Sequence, residues 1–384
     1  MKAKILLGVV GGVLVLGALH VWINVGFDKF TQEVGNAVSG ERKEFTIGFL
    51  PVTCHLTCPV VDWTNVHSSS GALYTPKRYS EFPTMCEDLS NGTLQGAFLN
   101  APLTIALVQK GVPVKLVSLG HRDGSAIVVA TNSHITEFKQ LKGKRMLIPS
   151  KFSNQQLWLQ RLCKENGMQL SELTTLACPP PDMPAMLASG SADAYCVGEP
   201  HCARAEMDGS GRVLLQAKDS WPGFISCAFV VRQDALDTHR ELIQEVVNGI
   251  AGSGLWLEQG VDNRFAAADV VGSVYYNQKP ELLKWVLSKP VDRVRYDDLA
   301  PEQGDFDEIM QIGIEIGMFK EPLAFERYVD ASFHANVPHK PIPMPPNDGQ
   351  GRVVAVAAAK PPAPAANPAA PAAPSAAPAS NPAK

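Results

Sequence analysis

Across residues 45–336, short apolar runs alternate with segments whose apolar positions recur at helical spacing, and glycine, proline and capping residues stand at the joints. "FTIGFLP" (45–51) predicts a strand, and Pro59 suits the first turn of a helix opening at Thr57 or Cys58. Thr84-Met85-Cys86-Glu87 has the spacing of a capping box, with Gly92 where that helix would stop. "LQGAFLN" (94–100) then predicts a strand, "APLTIALVQKG" (101–111) a helix and "PVKLVSLG" (113–120) a third strand. Such an order calls for a mostly parallel sheet.

The pattern then repeats. "KRMLIPS" (144–150) reads as a strand, Ser153-Asn154-Gln155-Gln156 as a capping box opening a helix to Asn166-Gly167, and "LTTLACP" (173–179) as a strand. Asp182 caps a short helix over "MPAMLAS" (183–189), followed by a strand "ADAYCVG" (192–198), a helix "EPHCARAEM" (199–207) and a strand "RVLLQA" (212–217). Two further β-rich apolar runs, residues 125–131 and 225–232, flank this second series as one crossing out and one back. The reading is therefore an α/β chain of two lobes, each on a mostly parallel sheet, joined by two crossing strands. The first lobe takes residues 45–124 and 233–338, the latter part helical, and the second takes residues 132–224. A cleft between two such lobes that closes about a hinge is an architecture for capturing solutes.

The chain ends add to this picture. Residues 5–23 are apolar except for His20 and as a helix would be roughly 28 Å long, close to a hydrocarbon core. With Lys2 and Lys4 before it, this segment predicts a single-pass inner-membrane anchor with the remainder in the periplasm; a cleaved signal peptide is the competing reading. Residues 341–384 turn into a Pro/Ala-rich, low-complexity tail that cannot build a core and predicts a disordered, solvated end. The 384 residues, 45% hydrophobic, suffice for two ordinary cores. A net charge of −4 without a basic tract offers no footprint for nucleic acid.

The run "PPPDMPAMLASGSADAYCVGEPHCARA" (179–205) resembles the nitrate, bicarbonate and taurine/sulfonate group of ABC-importer substrate-binding proteins. "IGFLPVT", "GAFLNAP", "GVPVKLVSLG" and "IPSKFSNQQLWL" stand in the order and spacing of that group, and "CVGEP" is most similar to its nitrate/bicarbonate branch. The resemblance, covering residues 45–333, implies a periplasmic-binding-protein-like fold of type II. It also implies capture of a small anion or related solute for a membrane permease driven by an ATPase.

Ligands of α/β lobes lie beyond the carboxyl ends of the strands, which selects the segments leaving them. Thr53, Cys54, His55 and Asn100 are the candidates from the first lobe; Ser153, Asn154, Gln155 and Glu199 are those from the second, with Trp221 as a wall near the return crossing. Helix N-termini there offer free N–H groups to an oxyanion. Glu199 reads first as a structural carboxylate at a helix start, since an anion pocket would not place it centrally. "PVTCHLTCP" (51–59) is unlike the usual first loop of the resembled group. Cys54, His55 and Cys58 are candidate ligands for a soft metal such as Cu(I) or Zn, closed by His201 or Cys202. Eight cysteines in an oxidising compartment equally suit disulfides or buried thiols. No Walker loop, dinucleotide fingerprint or nucleophile–base pair stands in the sequence, which favours binding over chemistry. Two alternatives remain open: a thiol- or metal-dependent sensor, and an enzyme related to the thiamine-pyrimidine group on the same fold.

Overall fold

The computed structural model describes residues 44–52 and 73–343, together with the backbone of a short strand at Val354–Ala355. The expected anchor at residues 5–23, the helix opening at Thr57 or Cys58, and most of the Pro/Ala-rich tail lie outside the described residues. Among those described, no helix is long and apolar enough to cross a membrane.

Strands β1 (Glu44–Phe49), β2 (Leu73–Arg78), β3 (Gly96–Leu99), β4 (Val114–Asp123), β10 (Ile225–Arg232), β11 (Val294–Arg295) and β12 (Val354–Ala355) form one sheet in the order β11-β4-β10-β3-β1-β2-β12. Strands β5 (Ser125–Ala130), β6 (Arg145–Ile148), β7 (Thr174–Ala177), β8 (Ala194–Gly198) and β9 (Gly211–Gln216) form the other, in the order β7-β6-β8-β5-β9. Both sheets are mixed, which corrects the expectation of mostly parallel ones. β10 runs antiparallel to β3 and β4, and β5 runs antiparallel to β8 and β9.

The reason is topological. β4 ends at the carboxyl edge of its sheet, and the chain enters the second sheet at the edge where β6 and β8 also end. A strand that starts at that edge must run against them. The runs expected to be crossings are therefore interior strands, β5 of the second sheet and β10 of the first. The true crossings are short turns at Asp123-Gly124 and around Gly223. Consecutive left-handed residues make the first reversal, Asp123 at φ 62° and Gly124 at φ 71°. Aspartate tolerates that region and glycine enters it freely.

Helices α1 (Phe82–Asn91), α2 (Ala101–Gln109), α3 (Asn154–Glu165), α4 (Met183–Ala188) and α5 (His201–Met207) connect the strands. After β10 come α6 (Gln233–Thr238), α7 (Arg240–Glu258), α8 (Val261–Val271), α9 (Pro280–Val286) and α10 (Gln303–Glu315). Leu242, Val246, Ala268, Leu283, Phe306 and Ile309 of this second group share one core with β1, β3, β4 and β10.

Several local expectations shift. α1 begins at Phe82 with Glu81 as its cap, and Thr84 donates its hydroxyl to Glu81 Oε1 at 2.9 Å instead of capping the helix itself. Asp182 precedes α4 without a side-chain capping bond. The helical stretch after β10 breaks at His239 into α6 and α7. β2 carries Pro76, a residue that argues against a strand in sequence, although here it pairs parallel with β1. Val354–Ala355 of the tail pairs with Lys77 and Arg78 of β2, a sheet edge the low-complexity composition did not foretell.

Buried polar groups tie the crossings together. Asp123 N donates to Phe224 O at 2.7 Å, and Arg122, 3% exposed, donates from Nη1 to Gly223 O at 2.9 Å. The same guanidinium reaches Asp298 O at 2.8 Å and Asp305 Oδ2 at 2.9 Å. A second cluster spans the sheets: Arg293 Nη1 meets Glu199 Oε1 at 3.1 Å and Glu206 Oε2 at 2.8 Å, while Arg293 O accepts from Gly124 N at 2.8 Å. Burial pushes the Glu199 carboxyl up to about 7 despite the Arg293 guanidinium beside it. One cation shared between two carboxylates does not offset complete desolvation.

Arg122→Met is expected to lower unfolding stability by about 3 kcal/mol, because it strands two carbonyls and a carboxylate, and urea denaturation measures the loss. Glu199 gives a pH signature. Its folded pKa stands above its ordinary 4.5, so its contribution is full below about pH 4.5 and is lost as pH rises through about 7. In denaturant titrations from pH 4.5 to 8, Glu199→Gln is expected to gain on the wild type by on the order of 2–3 kcal/mol as pH rises.

Candidate functional site

The carboxyl ends of β1, β3 and β4 and the start of β10 form one rim; those of β6, β8 and β9 and the start of β5 form the facing one. Across the first rim the register is explicit. Leu99 pairs with Ala228, so Asn100 stands level with Cys227, next to Ser226. Asn100 is 4% exposed and its Oδ1 accepts from Leu103 N at 2.9 Å, which caps α2.

α3 begins on the opposite rim. Ser153 Oγ accepts from Gln156 N at 3.2 Å, half of the expected capping box; the reciprocal half is missing, and Gln156 Oε1 has no partner among the described residues. The first turn is then fixed to both crossings. Gln155 Nε2 donates to Ser125 Oγ at 3.0 Å, where the chain enters β5, and Asn154 Nδ2 donates to Ser226 O at 2.9 Å, where β10 begins. All four residues are buried. The leading N–H groups of α3 have no intrahelical acceptor, and Asn154 Oδ1 is an unpartnered buried acceptor among the described residues. A narrow recess beside the return crossing is lined by Asn154, Leu157, Trp221, Phe224 and Asp305.

The other rim charges are already engaged. Glu199, 1% exposed, accepts from Ala203 N at 2.9 Å and from Arg293, so the start of α5 carries its own carboxylate. That placement suits the structural carboxylate at a helix start. Trp221 packs against the cores of both sheets, edge-on to Phe224 at 5.5 Å with the Arg161 guanidinium 5.1 Å over its ring. It is a wall of the recess. His121, 1% exposed, places Nδ1 3.0 Å from Arg122 O and its ring edge-on to Tyr296.

Thr53, Cys54, His55 and Cys58 lie outside the described residues. The rim does hold their point of departure: Gln278 Nε2 donates to Pro51 O at 3.3 Å while Arg204 reaches Gln278 Oε1 at 3.5 Å, linking the exit of β1 to α5. Cys86, Cys163, Cys178, Cys196 and Cys202 are free, buried thiols, so the disulfide reading fails for these five, and Cys227 is buried as well. Burial raises the Cys86 thiol to about 12 and those of Cys163 and Cys178 to about 11, unreactive values. Cys196 and Cys202, fully buried, sit in the cores of the second sheet. Among the described residues no three His, Cys, Asp or Glu side chains are grouped to hold a metal ion.

Sequence reading passed over Ser125, Ser226, Arg122, Gln278 and Arg293. Asp123-Gly124 is a turn signal that marks the first crossing. Nothing local announces Arg293, which acts 94 residues from Glu199.

Comparison with known proteins agrees with this architecture. The nitrate/nitrite binding protein NrtA of Nostoc sp. (strain PCC 7120) is 22% identical over 251 residues, covering 58% of this chain and 56% of its own. The taurine-binding periplasmic protein of Escherichia coli (strain K12) is 24% identical over 199 residues, 50% of this chain and 62% of its own. The chain thus spans about half the length of the curated relatives it matches. The ligand-binding component of an ABC-type import system from Staphylococcus aureus, solved with zinc bound, has a TM-score of 0.70 at 24% identity and covers 78% of this chain and 100% of that chain. At that identity the likeness is one of fold, and it matches the two facing mixed sheets found here. The resemblance to the nitrate, bicarbonate and taurine/sulfonate group of substrate-binding proteins holds. Residues 39–272, more than half of the chain, match the NMT1-like family, and the protein belongs to it.

Proposed function

We propose that the protein is the extracytoplasmic substrate-binding component of an ABC importer, and that it captures a small oxyanion of the nitrate, bicarbonate or sulfonate class between its two sheets. The observation that carries this reading is the first turn of α3. Its N–H groups and the amides of Asn154 and Gln155 are buried at the junction of both crossings, with Ser125, Ser226 and Asn100 around them. Donors of this kind favour an oxyanion without a full positive charge. The charged groups of the rim favour the same conclusion, since Arg122 and Arg293 are bound to carboxylates and α5 is closed by Glu199.

Asn100 spends its oxygen on capping α2, which leaves its NH₂ group as a donor, and Ser125, having accepted from Gln155, keeps its hydroxyl proton to donate. The relatives bind nitrate/nitrite and taurine by name, which supports the solute class and a role in binding without turnover. Residues 5–23 hold the protein at the inner membrane with its two sheets in the periplasm, beside the permease and ATPase that accept the solute.

Calorimetric titration of the full chain with nitrate, bicarbonate and taurine is expected to give one-to-one binding for at least one of them. Gln155→Ala should weaken that binding by about tenfold or more, the worth of one hydrogen bond to a charged group. Absence of binding to all three, with native mass spectrometry showing no co-purified anion, would sink the reading. Carbonate extraction of membranes tests the anchor: the full chain should stay in the pellet and a chain lacking residues 1–30 should be released.

A further inference from the structure

We propose that α3 and α10 form an ionic clasp that holds the two sheets in the closed arrangement, and that ionic strength regulates its release. The clasp goes beyond the reading above, because none of its polar or charged residues lies at a strand exit or on the first turn of α3.

Each helix belongs mainly to one side. α3 places Trp158, Leu159, Leu162 and Cys163 in the core of the five-stranded sheet. α10 places Phe306, Ile309, Met310 and Ile312 in the core of the seven-stranded one, and its first turn is held at the crossing by the bond from Arg122 to Asp305. Between the two helices runs a stripe of complementary charge. Arg161 Nη1 pairs with Glu308, Lys164 Nζ pairs with Glu315, and Gln160 Nε2 donates to Glu315 Oε1 at 2.8 Å.

The spacing makes this a matched pair of faces. Gln160 and Lys164 are one helical turn apart, and Arg161 precedes Lys164 by three residues, so the donors lie along one side of α3. Glu308 and Glu315 are separated by two turns and lie on one side of α10. Leu157 of α3 adds an apolar contact, since it is buried in the core of the opposite sheet.

A rotation about Asp123-Gly124 and Gly223 that opened the cleft would shear α3 along α10 and separate all three contacts together. The four charged side chains are 28–51% exposed, which leaves their attraction open to screening by salt.

Hydrogen–deuterium exchange of the full chain tests the clasp without any ligand, so its outcome is independent of which solute the protein takes. In the wild type, moving from about 0.05 M to about 1 M salt, which shortens the screening length to roughly 3 Å, should speed exchange several-fold in peptides covering residues 153–157 and 221–227. Glu308→Lys with Glu315→Lys should do the same at low salt, while β4 and β6 keep their protection. Adding Arg161→Glu and Lys164→Glu to that variant should restore the slow rate. The proposal is overturned if salt leaves the rim peptides of the wild type unchanged, or if the restored pairing exchanges as fast as the reversed one. A uniform loss of protection in the variants, with no effect of salt on the wild type, contradicts it equally.

Discussion

The Arg122 guanidinium is the constraint on which the arrangement of the molecule depends. It leaves the end of β4, binds Gly223 of the return crossing, and reaches Asp298 and Asp305 of the helical segment that completes the first core. With Asp123 N on Phe224 O, it makes two crossings that are 100 residues apart in sequence behave as one joint. A buried guanidinium needs all its partners, and here the partners come from every segment that must meet for the carboxyl edges of two sheets to face each other. Once those edges face, the antiparallel direction of β5 and β10 is obligatory. The strand exits, where free helix N-termini gather, are then enclosed between the layers.

The chemistry of the enclosed rim follows from how its charges are spent. Arg293 neutralises part of Glu199 and Glu206, Arg122 is shared with Asp305, and Glu199 closes the start of α5. What is left on the α3 side are amides, hydroxyls and main-chain N–H groups. Such a set recognises shape and hydrogen-bonding groups more than net charge, and its links from Gln155 to Ser125 and from Asn154 to Ser226 offset part of the cost of burying it. The same two links also tie this turn to both crossings, so the proposed solute site and the joint share the same residues.

Much of this was legible in the sequence, and the reasons are local. β1, β3, β6 and β8 are apolar runs bounded by turn residues, α2 and α3 carry their caps in plain view at Asn100 and Ser153, and Gly92 stops α1 in the left-handed region. The misses share one cause. Strand direction for β5 and β10, the pairing of β2 through Pro76, and the joining of Arg293 to Glu199 are decided by tertiary contacts that no window of residues contains. Glu199 is legible as a helix-start carboxylate, but its buried ion pair with Arg293 is not. His239 interrupts a continuous helical pattern between α6 and α7, since both helices still present apolar residues to the same core. The cysteine and histidine cluster at residues 54–58 was the most conspicuous chemistry in the chain. It falls outside the described residues, and the site proposed here is built from quieter ones.

The most direct measurement is a crystal structure of the protein grown with the oxyanion that binds it in solution. Density for the anion within hydrogen-bonding distance of the first turn of α3 and of Asn100, with Arg122 still bridging Gly223 and Asp305, is the result this account requires. An anion held instead by Arg293 or on an outer face, or a structure in which Asn154 and Ser226 are far apart while the anion is bound, would contradict it.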